Sequence, residues 1–149
     1  MADLVDDISQ IKAVIERQFA ALSWSRGKPG DWQAFAADFC DEAKLFPAVR
    51  PLKPQSVEAF LTRMKNLSSS ELHSLCETAL KTDIKVFGNV AIAAVLCGMT
   101  ENETKNSQTL EMLLLVKDNG AWRIAAQAWD KADELSLIGN SLFDANRSA

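Results

Sequence analysis

Chemistry in this chain has few side chains to draw on, since 149 residues include one histidine and no tyrosine. His73 stands three residues before Cys76, which gives two metal ligands where a structural or catalytic site needs three or four. No second cluster completes the set, so the histidine reads as a surface or half-buried residue and no metal or cofactor is expected. Cys40, Cys76 and Cys97 are odd in number and lie in apolar segments, where a free thiol packs as a small hydrophobe in a reducing compartment. The material for binding is aromatic and sulfur-bearing: Trp24, Trp32, Phe46, Met64, Met99, Met112 and Trp129. These residue types line irregular apolar cavities and also fill cores. Gln127, two residues from Trp129 and so on the same strand face, is a polar group able to orient a ligand. Glu111 is a second, although its alternation with Met112 leaves it facing either the interior or solvent.

The elements that must position these groups change character near residue 70. Leu4, Ile8, Ile11, Ile15, Phe19 and Leu22 recur at steps of three and four, which predicts a helix of about five turns capped by Asp3 or Asp6. Gly and Pro between Ser25 and Gly30 end that pattern, and Asp31 is placed to cap a short second helix carrying Trp32, Phe35, Ala36 and Phe39. Ala43 to Ala48, followed by prolines 51 and 54 and containing Pro47, fits an edge strand or extended entry segment. Ser56 caps a third helix, with Glu58 in its first turn and Val57, Phe60, Leu61, Met64 and Leu67 on its buried side. Ser68 to Ser70 end it.

From Glu77 onward the pattern is a meander. Strands are predicted over Glu77 to Phe87, Val90 to Thr100, Thr109 to Lys117 and Ala121 to Trp129, with tight turns at Gly88-Asn89 and Asp118-Asn119-Gly120 and a polar loop from Glu101 to Ser107. Val90 to Cys97 and Met112 to Val116 are apolar at nearly every position, so both faces of the sheet need cover: helices on one, a cavity or a second subunit on the other. The excess of apolar positions around Val95, Cys97, Leu113 and Leu115 over what three short helices can cover predicts a homodimer. After Lys131, Leu135, Leu137, Ile138, Leu142 and Phe143 predict a short helix folded over the cavity or the dimer contact.

Composition narrows the class. The chain is the size of one ordinary domain, 48% hydrophobic and 24% charged, which is globular composition. A net charge of -4 gives no electrostatic grip on a polyanion, so nucleic acid is excluded as a partner. The acidic first residues are unlike a secretory signal, and the eight-residue apolar run from Val90 is far short of the ~20 residues a membrane span needs. A soluble cytoplasmic protein is expected.

The order of these elements resembles the nuclear transport factor 2-like superfamily, in particular its SnoaL-like and ketosteroid-isomerase-like members. The residues that carry it are Trp32 to Phe39 with Asp38 at the end, Phe46-Pro47, Val57 to Leu67, Gly88-Asn89-Val90-Ala91, and Gly120-Ala121-Trp122-Arg123-Ile124. The resemblance runs from about Ile8 to Asp130 and implies a cone-shaped α+β fold. In it, three N-terminal helices pack on a strongly curved, mixed but mainly antiparallel sheet around a mostly apolar pocket, commonly as a homodimer. Residues 1–149 are then one domain with a core over about 8–130 and a tail over 131–149.

That superfamily spans isomerases, dehydratases, epoxide hydrolases, cyclases, transport factors and non-catalytic subunits, so the polar groups in the pocket decide the function. Ketosteroid isomerases place a general-base aspartate before the proline of the first strand, where this chain has Phe46, which cannot take a proton. Scytalone-dehydratase-like chemistry uses histidine with tyrosines, and His73 has no tyrosine to work with. Limonene-epoxide-hydrolase-like chemistry joins two aspartates through an arginine. Arg50, Arg123, Asp38, Asp83 and Asp130 are the right types without a matching spacing; Asp38 fits a helix-end brace and Arg123 an outward position. The expectation is a dimeric SnoaL-like protein holding a small apolar or mixed-polarity molecule at Trp24, Trp32, Phe46, Met64, Met99, Met112, Gln127 and Trp129. Its alternatives are an isomerase, hydrolase or cyclase on a small hydrophobic substrate, and a protein-association module.

Overall fold

A computed structural model of the chain describes residues 4–132 and residue 143. The tail helix expected after Lys131 falls, but for Ala132 and Phe143, outside the described residues. Two full helices, α1 (Leu4–Leu22) and α3 (Val57–Ser68), and the six-residue α2 (Trp32–Ala37) accompany six strands. These are β1 (Phe39–Phe46), β2 (Gln55–Ser56), β3 (Leu75–Phe87), β4 (Val90–Glu101), β5 (Lys105–Asp118) and β6 (Ala121–Lys131). They form one sheet in the order β2-β1-β6-β5-β4-β3, antiparallel throughout except where β1 runs parallel to β6. This is the α+β arrangement, helices against a curved mixed sheet, that the residue pattern describes.

The caps act where the sequence places them. Asp31 accepts a hydrogen bond from the Ala34 N–H, and Ser56 from the Ala59 N–H, so each satisfies an orphan donor at its helix start. In the hairpin turns, Gly88 (φ 60°) joins β3 to β4, while Asn119 (φ 50°) and Gly120 (φ 76°) join β5 to β6. Positive φ at both central residues is the geometry whose twist matches the flanking strands, and Asn-Gly adopts it at least cost. Register breaks at Ala79/Lys81 and at Leu114/Leu115 bend the long strands.

The two faces of the sheet have different fates. Ala91, Ala93, Val95 and Cys97 of β4, with Leu113 and Leu115 of β5, turn toward α1 and α3 and are buried with Ile11, Ile15 and Phe19. Their neighbours in sequence, Ile92, Met112 and Leu114, turn outward and stay about half exposed. So the residues around which excess apolar surface was expected are themselves covered by the helices. The uncovered apolar surface belongs to the alternate set.

Four local expectations shift. Phe39 opens β1 rather than closing α2, because Asp38 ends the helix and β1 pairs with β6. The strand is longer than Ala43 to Ala48 and lies inside the sheet; the two-residue β2 takes the edge. The loop over 101–107 contracts to a tight turn, with positive φ at Asn102 and Glu103, letting β4 and β5 pair as far as Glu101 and Lys105. On α1, Leu4 is exposed, and the buried stripe instead includes two polar residues, Asp7 and Gln18. No helix among the described residues is long and apolar enough to cross a membrane.

Candidate functional site

A cavity of about 190 Å³ lies between α1, α3 and the inner face of the sheet. This is below the roughly 300–1,000 Å³ of a drug-binding cleft. Phe35, Phe60, Met64, Met99 and Trp129 supply apolar wall, and the exposed Val49 and Arg63 border its mouth. Phe60 stacks on Phe35 at 5.5 Å and meets Trp129 edge-on at 5.6 Å, so the aromatic wall is braced by its own ring contacts.

Polar groups from five elements meet at one place. Gln18 of α1 and Gln127 of β6 exchange amide hydrogen bonds, 2.7 Å from Gln18 Nε2 to Gln127 Oε1 and 2.9 Å in return. Gln127 Nε2 also donates to Glu111 Oε1 of β5 at 2.5 Å, and the Thr109 hydroxyl donates to Glu111 Oε2 at 3.2 Å. On the other side Cys97 Sγ of β4 donates to Glu77 Oε1 of β3 at 3.6 Å. Glu77 is fixed from below as well: its backbone N–H donates to Ser23 Oγ at the end of α1. Gln18, Gln127, Glu111 and Thr109 are all buried, and Glu77 is half-buried.

Electrostatics follow from this burial. Desolvation, then the nearby Glu111 charge, pushes the Glu77 carboxyl up to about 8, against a weaker opposing hydrogen bond from Cys97. Burial likewise raises Glu111 to about 7, opposed by the hydrogen bonds from Gln127 and Thr109. The Cys97 thiol is pushed far up by burial and by the two carboxylates, the reverse of the setting that makes a reactive thiolate. Near neutral pH the two acids therefore keep a proton between them, the arrangement in which one carboxyl donates while the other accepts. Ligand atoms of Glu77, Cys97 and Glu111 all lie within 4.8 Å of one another, the one such group among the described residues.

Of the residues the sequence nominates, Met64, Met99, Gln127 and Trp129 line this cavity. Trp24 and Trp32 do not. Trp24 is buried with its indole N–H on the Leu72 carbonyl, and Trp32 packs against it at 6.0 Å. Phe46 and Met112 turn to the outer face, where they border a shallow hollow with Ile92 and Leu114. Glu111 is resolved to the interior. Gln18, Glu77, Cys97 and Thr109 escape sequence reasoning; the usable signal was a polar residue at a helix-core position, for Gln18, and the alternation of Thr109 and Glu111 with Leu113 and Leu115.

The aspartate and arginine candidates are dispersed. Asp38 caps α2 and holds Arg17 in a two-pronged pair at 3.0 and 3.1 Å, while Arg123 donates to the Ala37 carbonyl at 2.8 Å. Arg50 binds the carbonyls of Pro47, Ala48 and Val49, Asp83 faces Lys85, and Asp130 is exposed. His73 faces Glu103 at 3.4 Å. None of these lines the cavity.

A family model described as "Putative lumazine-binding" matches residues 6–130. The chain belongs to this family. The lumazine-binding-like family lies within the nuclear transport factor 2-like superfamily, and solved structures agree with that fold. An NTF2-like protein of unknown function from Pseudomonas putida KT2440 superposes with a TM-score of 0.70 at 16% identity, covering 87% of this chain and 89% of that one. A protein with a cystatin-like fold from Nostoc punctiforme PCC 73102 gives 0.70 at 14% identity, covering 92% and 99%. A protein titled "Putative Scytalone Dehydratase" from Novosphingobium aromaticivorans DSM 12444 gives 0.70 at 11% identity, covering 86% and 85%. At such identities the likeness speaks for fold alone. No curated protein sequence matches the chain.

Proposed function

We propose that this SnoaL-like chain binds a small molecule of mixed polarity in the cavity between α1, α3 and the sheet, its polar end toward Glu111, Gln127 and Glu77. One observation carries the reading: four separate elements, α1, β3, β5 and β6, bring buried or half-buried polar side chains to a single, mostly apolar cavity. A core built only for stability gains little from this, because each buried polar group must be satisfied or it costs free energy. The family description names a small heterocycle, which supports an occupant with both ring carbon and hydrogen-bonding edges. Native mass spectrometry of freshly purified protein tests the proposal. A bound mass that is lost on Glu111→Gln supports it; a bare chain that also takes up no added lumazine contradicts it.

The second reading concerns assembly. The outer sheet face leaves Ile92, Met112 and Leu114 about half exposed around a hollow flanked by Asp83 and Lys85. An apolar face of this kind with opposite charges at its border suits a self-complementary two-fold contact. Homodimerisation of cytoplasmic protein through this face is the assembly proposed.

A further inference from the structure

The polar half of the cavity commits most of its donors to its own acceptors. Gln127 uses both amide N–H groups on Gln18 and Glu111, Thr109 its hydroxyl on Glu111, and Cys97 its thiol on Glu77. One N–H of Gln18 and the proton of the acid pair are left over as donors, beside a larger open acceptor capacity. Among the described residues Glu77 Oε2 receives no hydrogen bond, and Glu77 Oε1 receives one where two would fit. The wall opposite is aromatic and sulfur-bearing, from Phe60, Trp129, Met64 and Met99, surfaces that attract a cation through ring quadrupoles and polarisable sulfur.

Resting on the cavity reading above, we infer that the occupant is a small organic ammonium ion with at least one N–H, its charged head between Glu77 and Glu111 and its apolar body against Phe60 and Trp129. The head donates to the open carboxyl oxygens, and its charge offsets that of the acid pair. The titratable groups around the pair are Cys97 on β4 and Arg63 on α3, while α1 and β6 present only the amides Gln18 and Gln127. Arg63 is exposed at the mouth, where water screens it. The ammonium charge favours the ionised form of both carboxyls, so binding drives the proton they hold off to solvent. Binding therefore releases roughly one proton and strengthens as pH rises from below 7 toward 8.

Isothermal titration calorimetry on the full chain with benzylamine, benzyl alcohol and benzoate, three probes alike in size, separates the possibilities. Expected is benzylamine binding roughly tenfold to a hundredfold tighter than benzyl alcohol, the scale of one charge-assisted hydrogen bond, with benzoate weakest. Repeating the benzylamine titration in buffers of different ionisation enthalpy reads the released proton on the wild-type protein, with no variant needed. Glu77→Gln and Glu111→Gln are each expected to weaken benzylamine by a larger factor than benzyl alcohol. Benzyl alcohol or benzoate binding as tightly as benzylamine, or benzylamine binding without proton release, overturns the ammonium assignment and leaves the cavity reading intact. Failure of all three probes up to their solubility overturns both.

Discussion

Glu77 on β3 and Glu111 on β5 place carboxyl oxygens within 4.8 Å of each other across β4, with the Cys97 thiol inside the same distance of both. The relationship joins the two halves of the account, since one pair of side chains sets both the polarity of the cavity and the pH response of the fold.

For stability, both acids titrate higher in the folded chain than their ordinary 4.5. The folded state then holds more protons than the unfolded state between about pH 4.5 and about pH 8, so stability falls as pH rises through that window. The loss is expected to be on the order of 2–4 kcal/mol for the coupled pair. Urea denaturation from pH 5 to pH 9 measures it. Glu77→Gln, which cannot ionise, should flatten the decline; an unchanged slope in that variant would count against the pair.

The amide pair is expected to act as one unit. Gln127→Leu strands Gln18 and removes a donor from Glu111, at a cost of ~1–3 kcal/mol. Gln18→Leu leaves Gln127 with Glu111 as its one partner and its carbonyl oxygen unpaired. The double variant should cost less than the sum of the two, since the second change removes a group already unpaired. Additive losses by chemical denaturation would show that the two amides are independent.

At the far end of α1, Asp7 holds Lys117 Nζ and the Trp122 indole N–H, each at 3.0 Å from Oδ1. The Lys117 and Trp122 hydrogen bonds keep its carboxyl below the usual 3.8. This contribution is present above that value and is lost as pH falls through the lowered one. Asp7→Asn should lower Tm at neutral pH and weaken the dependence on acid. Equal acid sensitivity in wild type and variant would contradict the assignment.

On the outer face, Met112→Glu or Leu114→Glu sets a charge in the middle of the proposed contact. Light scattering after size exclusion should read a dimer for wild type at micromolar concentration and a monomer for either variant. A wild-type monomer sinks the assembly proposal.

Much of the scaffold was legible before the structure, and the reason is periodicity. The stripe through Ile11, Ile15, Phe19 and Leu22, the caps at Asp31 and Ser56, and the Asn119-Gly120 turn each have a local cause that sequence spells out. The site was less legible because β5 is apolar on both faces. Thr109, Glu111, Leu113 and Leu115 could face in with Leu110, Met112 and Leu114 out, or the reverse, and a shift of one residue inverts the choice. Tertiary packing of α1 decides it, through Gln18 on Gln127. Glu77 was hidden for a different reason: β3 continues to Leu75, bent by the irregularity at Ala79/Lys81, so the strand's inward set beyond the bend follows no single alternation.

The central claim, a small occupant held between the acid pair and the aromatic wall, is tested most directly by a crystal structure of the protein soaked in benzylamine. The expected result is density in the cavity, with its nitrogen at hydrogen-bond distance from Glu77 and Glu111 and its ring against Phe60 and Trp129. A cavity closed by its own side chains, or left to solvent under the same soak, would contradict it.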